Sequence, residues 1–436
     1  MSDGSEADAD SDAGSDFDPV SFLEGAVRIP SHESVEEMRA FAVETLAANG
    51  ADPAVVADGC VLAEKRSPAP EAGPHLVLNT HLDTVTPHVP FERGEARGGE
   101  RGAAEDERAA SAATAEGPEE VIRGRGACDA KGPLAALLNG FLAADPDRGR
   151  LTLALTPDEE ELSLGAAALT GRLPGTDDRL DGDLYLVGEP TGLDACTAAK
   201  GRFQATIELS GTAAHAAEFA GANAVAAAED ALAAVRTFDE DATRHPQLGP
   251  PKLTPTVIEG GAATNQVPAE CEITVDRRSV PPETAEGFRS SLAEAVRESL
   301  AGGAGRGGDD CAGGDGDDGD GRDGVDATVA LTDRESPFLE AFATDPDHEL
   351  VRTVAAAARK AGDAVGLPGE RGGNARPFGA ATEASYFAPA PTVVFGPGDL
   401  ADGSGAVAHA EREYVRVREV EAAAAAVEDA VAALLG

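Results

Sequence analysis

Apolar residues along this chain follow two rhythms. Short continuous runs occupy residues 75–80, 151–156 ("LTLALT"), 184–188 ("LYLVG") and 392–396 ("TVVFG"). Runs of this length read as strands covered on both faces. Helical patterns lie between the first three. In "GPLAALLNGFLAA", Leu134, Leu137, Leu138, Phe141 and Leu142 share one stripe, and Pro133 suits a first helical turn. Such strands alternating with amphipathic helices predict an α/β domain with a covered, mainly parallel sheet.

The middle of the chain changes to a period of two. "RFQATIELSG" alternates Phe203, Ala205, Ile207 and Leu209, and "CEITVDRR" alternates Cys271, Ile273 and Val275. Both read as strands with one covered face. Helical stretches are expected near 222–237 and 283–300, the second with Phe288, Leu292, Val296 and Leu300 on one side. The pattern predicts a small α+β domain inserted at about 197–332, between two parts of the first domain at 19–196 and 333–436.

Three segments have too few apolar residues to offset their ordering entropy. Residues 1–18 are expected to be a disordered acidic tail, and 94–120 an acidic insertion. Residues 302–325 form a Gly/Asp-rich stretch that lacks the glutamate and spacing of a calcium loop, so a solvated linker is expected there.

Composition narrows the class. A chain of 436 residues, 42% hydrophobic, suits two domains. No apolar run reaches the roughly eighteen residues of a membrane span, and the N-terminus lacks the features of a signal peptide. The 5 cysteines form no CxxC pair, which argues against a disulfide framework or thiolate cage and suits a reducing cytoplasm. The net charge is −44, with acids spread along the whole chain. This reads as a halophilic surface, adapted to salt that screens its own repulsion; the alternative is an anionic patch for a basic partner. No basic stripe exists, so no nucleic-acid partner is expected.

Candidate chemistry collects at the C-terminal ends of the predicted strands, the edge where open α/β sheets bind ligands. His81 and Asp83 follow the first strand, and Asp129 sits in the glycine-rich turn "GRGACDAKG". Glu159, Glu160 and Glu161 follow "LTLALT", Glu189 follows "LYLVG", and His409 lies beyond the strand at 392–396. Two histidines and several carboxylates from one sheet edge form an N/O donor set suited to zinc, with cobalt or manganese as substitutes.

"HLDTV", "GRGACDAKG", "TPDEE", "GEPT" and "AHAEREY" occur in the order and spacing of the co-catalytic metallo-aminoacylases, and the chain resembles these M20-type peptidases over about residues 20–436. The resemblance implies a zinc-peptidase-like catalytic domain and an inserted lid that also dimerises. It implies one metal on His81 and Glu189, a second on Glu160 and His409, and Asp129 bridging them. Asp83 would orient His81, Glu159 would be the general base, and the peptide after Asp129 would be cis. Glu161 stands where the family usually has glycine.

The resemblance further implies His215 as an oxyanion donor reaching a partner subunit's site. Asn265 and Arg278 match the family's substrate-binding asparagine and arginine, with Arg277 a neighbouring candidate. The loop "ATEASYFAPAPTVVFGPGD" looks most like the acetylornithine deacetylase branch, and Glu383 there would meet a positively charged amino group of the substrate. The expected activity is two-metal hydrolysis of an N-acyl amino acid by a cytoplasmic homodimer. A desuccinylase, a dipeptidase or carboxypeptidase, and a hydrolase releasing an amino acid from a carrier protein remain alternatives. A non-catalytic acidic binding protein is the rival from another class.

Overall fold

The computed structural model describes residues 17–96, 119–177, 179–303, 324–369 and 371–436. The continuous apolar runs form the centre of a nine-stranded sheet. Arg150–Thr156, His75–His81, Leu184–Gly188 and Thr392–Phe395 lie side by side and parallel. Successive residues of one strand enter different cores. Leu76 and Leu78 join the core containing Leu134, Leu138 and Phe141, whereas Val77 joins the one containing Tyr185, Val187 and Phe387. Both faces are covered, which is why these runs carry no polar alternation.

The helix Lys131–Ala143 lies against the C-terminal helix Val417–Leu435. Gly140 permits the approach, since a Cβ there would stand 2.4 Å from Val427 Cγ1. Within the sheet, register places His81 beside Thr156 and Phe395 beside Gly188. The strands carrying the predicted site residues therefore end at one edge. The pattern of the sequence does not announce the strand Ala195–Ala199, "ACTAA", which is buried throughout. Its residues are too small to stand out as an apolar run.

The chain leaves the large sheet after Ala195–Ala199 and rejoins it at Phe342–Ala343, beside that same strand. Between these points lies a four-stranded antiparallel sheet in the order Lys252–Gly260, Glu270–Ser279, Gly201–Ser210, Asp326–Leu331. Helices Ala224–Thr237 and Ala285–Gly303 supply its core partners, and Phe203, Ile207, Ile273, Val275, Phe288, Leu292 and Val296 are buried together. Lys252–Gly260 is an edge strand whose Val257 and Ile258 are 49% and 54% exposed.

The polar segments are narrower than the composition suggests. Asp18 belongs to the folded chain: its carboxylate accepts from the Val20 amide and caps helix Pro19–Val27. The ends of the expected 94–120 insertion are strand, because Glu92–Ala96 pairs with Glu119–Arg123. Gly302 and Gly303 end the helix Ala285–Gly303. The remainder of those expectations, at 1–16, 97–118 and 304–323, lies outside the described residues. Among the described residues no helix is long and apolar enough to cross a membrane.

Candidate metal centre and its cleft

The strand ends bring His81, Asp129, Glu159, Glu160, Glu189 and His409 into one cluster. Two overlapping sets, His81–Glu159–Glu189 and His81–Asp129–Glu160, each offer three ligand atoms within 4.8 Å of one another. His409 joins the second set, its Nε2 lying 3.1 Å from Asp129 Oδ2 and 3.0 Å from Glu160 Oε2. His81 is buried, with Nε2 3.4 Å from Asp129 Oδ1 but making no hydrogen bond.

Asp83 orients more than the imidazole. His81 Nδ1 lies 3.2 Å from Asp83 Oδ1, within reach for a proton on Nδ1 to be donated to that carboxylate. The same carboxylate accepts the backbone amides of Glu159 at 3.1 Å and Glu160 at 3.0 Å. One side chain thus fixes three members of the cluster. Asp158 is committed elsewhere, accepting the amides of Leu164 and Gly165 at 2.6 and 2.9 Å. Glu161 is exposed at the cleft wall.

The cluster is strongly anionic. Burial and then the neighbouring Glu189 push Glu159 well above the usual carboxyl range; burial and Asp129 do the same to Glu189. Hydrogen bonds to Asp129 and Glu160 push His409 up to about 10. Burial would raise Asp129, but His409 and His81 outweigh it and hold its carboxyl low. Buried carboxylates packed this closely are costly unless positive charge joins them. An orphaned imidazole nitrogen among carboxylate oxygens is the donor chemistry of a divalent cation such as zinc, and the residues fit one.

A buried ion pair, absent from the sequence-based candidates, holds two of the loops. Arg125 Nη1 and Glu413 Oε2 are 2.6 Å apart, both essentially excluded from solvent. Glu413 Oε1 accepts the amides of Cys128 and Asp129, each at 3.2 Å. Arg125 Nη2 donates to the His409 carbonyl at 3.3 Å. His409 has φ 64°, a left-handed conformation that costs on the order of 1–3 kcal/mol for such a residue. The pair therefore links Asp129 to His409 and supports that conformation. Lys131, also buried, donates to the carbonyls of Ala26 and Ile29 at 3.1 and 2.7 Å, and burial brings its ammonium down to about 8. The Asp129–Ala130 peptide is cis. Arg125 and Glu413 lie inside two of the motifs that flagged the site, but nothing in a linear motif tells a ligand from its support.

The cluster forms one wall of a cleft of about 610 Å³, whose other walls include Arg202, Arg278, Arg334, Phe338 and Phe378. Arg278 is therefore brought to the site. Arg277 is not, which corrects the expectation that either arginine could meet substrate. Its guanidinium is 3% exposed, lies 2.7 Å from Asp239 and 2.9 Å from Glu283, and rests over Phe238 and Phe288. Glu383 is a second correction. It is buried, accepts from Thr156 Oγ1 at 2.6 Å, and does not line the cleft; burial pushes it to about 7.

His215 and Asn265 sit together but apart from the cleft. Ala214–His215 pairs with Gln266–Val267, the Ala216 amide donates to the Asn265 carbonyl at 2.9 Å, and both residues are exposed.

Comparison with known proteins bears on this arrangement. The model of peptidase family M20/M25/M40 matches residues 77–433. An acetylornithine deacetylase of Myxococcus xanthus is 32% identical over 72% of this chain and 72% of its own. A protein of Pyrobaculum aerophilum assigned as a LysW-lysine/LysW-ornithine hydrolase is 32% identical over 64% of this chain and 72% of its own. Among solved structures, the aminopeptidase PepT of Bacillus cereus superposes with a TM-score of 0.65 at 17% identity, covering 95% of this chain and 98% of that one. The YxeP protein of Bacillus subtilis, described as a dinuclear metal-binding peptidase, gives 0.58 at 14% identity over 95% and 97%.

Proposed function

The chain belongs to peptidase family M20/M25/M40 and is an amide-bond hydrolase, and from that premise we propose that it releases an amino acid from an N-acyl amino acid. The observation that carries this reading is the convergence of His81, Asp129, Glu159, Glu160, Glu189 and His409 opposite Arg278 in one cleft. His81 and Glu189 would hold one zinc ion and Glu160 and His409 another, with Asp129 between them; cobalt or manganese would suit the same donors. Such a pair of ions supplies Lewis acidity and eases the deprotonation of water.

The chain's own residues do the rest. Glu159 takes a proton from the attacking water and delivers it to the departing amine nitrogen. Asp83 faces Nδ1 of His81, so that Nε2 would be the nitrogen offered to a metal ion, and it holds the Glu159 backbone in place. Arg278 offers its guanidinium to the α-carboxylate of the amino-acid half, with a fork geometry that lysine lacks. The relatives' names share this amino-acid half and differ in the acyl group.

His215 we read as the oxyanion donor of a second copy's cleft, because it is exposed beside Asn265 in its own chain, and the edge strand Lys252–Gly260 leaves Val257 and Ile258 uncovered. The test of the whole reading is a panel of N-acyl amino acids at high salt, before and after chelation. Hydrolysis lost on chelation and restored by zinc is expected; chelation-insensitive hydrolysis would contradict it. Mixing His215→Ala with Glu159→Ala should restore part of the activity through hybrid dimers, and no recovery would remove the donation between subunits.

A further inference from the structure

Among the described residues, the Glu189 carboxylate accepts one hydrogen bond from the protein. The donor is Thr382, whose Oγ1 lies 2.9 Å from Glu189 Oε1, and both residues are buried. The direction of that bond is fixed by a third group. Thr382 Oγ1 also accepts the Ala384 amide at 3.3 Å, and an amide only donates, so the single hydroxyl proton is left for the carboxylate.

Thr382 is itself anchored. Its carbonyl accepts the Ser385 amide at 3.1 Å, at the start of the short helix Glu383–Phe387. At the far end of that helix Phe387 stacks on Tyr185, with ring centres 4.5 Å apart. Tyr185 belongs to the strand Leu184–Gly188, which delivers Glu189. Helix and strand are therefore joined twice, at Phe387–Tyr185 and at Thr382–Glu189. Glu383 adds a third tie, accepting from Thr156 at the end of the strand that leads to Glu159 and Glu160. Phe378, Gly379, Ala380 and Ala381, just before Thr382, line the cleft. One short segment thus borders the substrate space and braces a candidate ligand from below.

The rest of the cluster is held by other means. Asp129 and Glu160 meet His409, and the Arg125–Glu413 pair fixes the loops of Asp129 and His409. A hydroxyl that donates to one oxygen of a ligand carboxylate fixes how that carboxylate is presented, and losing such a partner typically costs about 10–100-fold in metal affinity. We propose that Thr382 is a positioning residue for Glu189, setting the zinc affinity of the His81–Glu189 site and leaving the Glu160–His409 site as it is. The inference rests on the two-ion reading above and deepens it, because it gives the two sites separate supports. One site can then be weakened by a change that touches no ligand.

The test titrates zinc into the metal-free full chain against a competing chelator. The native chain should take up about two equivalents. Thr382→Val removes the hydroxyl at nearly constant volume; it should weaken one equivalent by about 10–100-fold and leave the other unchanged. Thr382→Ser keeps the hydroxyl and should restore both, which guards against a simple folding defect. Two backgrounds identify the affected site. With Glu189→Ala, the Thr382→Val change should add nothing; with His409→Ala, it should weaken the zinc that remains. Two native-like equivalents in Thr382→Val would overturn the proposal. So would equal weakening of both equivalents, a Thr382→Ser protein no better than Thr382→Val, or a further loss in the Glu189→Ala background. A native chain that takes up no zinc would instead overturn the two-ion reading, and this proposal with it.

Discussion

The two walls of the cleft are organised in opposite ways. On the carboxylate wall the groups other than His409, which is 51% exposed, are largely buried, and each is held by another: Asp83 takes His81 and two backbone amides, and the Arg125–Glu413 pair takes the Asp129 and His409 loops. On the arginine wall the groups are more exposed, Arg278 at 41% and Arg202 at 63%, and one acid serves both. A wall that must place cations and a proton acceptor within fractions of an ångström needs rigid support. A wall that recognises the charged ends of a substrate tolerates longer, better-solvated side chains.

That contrast predicts a graded set of outcomes. The largest effect is expected at the base. Glu159→Ala should lower kcat by roughly 10²–10⁴-fold on every substrate while the protein keeps its metal, and full activity in this variant would remove the base assignment. Next comes the support. Glu413→Ala strands the buried Arg125 charge and the Asp129 amide, so a loss of stability of about 3–5 kcal/mol is expected. Thermal melting together with zinc titration reads this out, and an unchanged melting temperature with unchanged zinc affinity would show that the pair braces nothing.

The adjacent arginines give the sharpest contrast. Arg278→Ala should raise KM with little change in melting temperature. Arg277→Ala should lower the melting temperature, with a cost of about 1–3 kcal/mol for the two partly buried acids it leaves behind, and barely alter KM. The reverse result would invert the assignment of the two faces. The smallest effect is expected from salt: at low ionic strength the repulsion implied by a net charge of −44 should lower the melting temperature relative to molar salt. An unchanged value would argue against adaptation of the surface to salt.

The legibility of the sequence follows the same division. The parallel strands and the cluster at their ends were readable because a continuous apolar run fixes a covered strand and its end fixes the edge of the sheet. Arg277 and Arg278 show what periodicity offered and what adjacency obscured. The buried series Cys271, Ile273, Val275 continues by twos to Arg277, so strand parity alone turns Arg277 inward and Arg278 to the cleft. Glu383 was not readable in this way, because it lies in the short turn Glu383–Phe387, where no period says which side is buried. Arg202 and Arg334 come from separate elements, one residue each, and only folding makes them a wall.

The account stands most directly on metal content. Plasma mass spectrometry of the purified native protein and of Asp129→Ala, each measured beside amidase activity, addresses it in one measurement. About two zinc equivalents per native chain are expected, falling well below that in Asp129→Ala together with loss of hydrolysis. A native chain that hydrolyses N-acyl amino acids with no bound metal, or an Asp129→Ala protein with full metal and full activity, would contradict it.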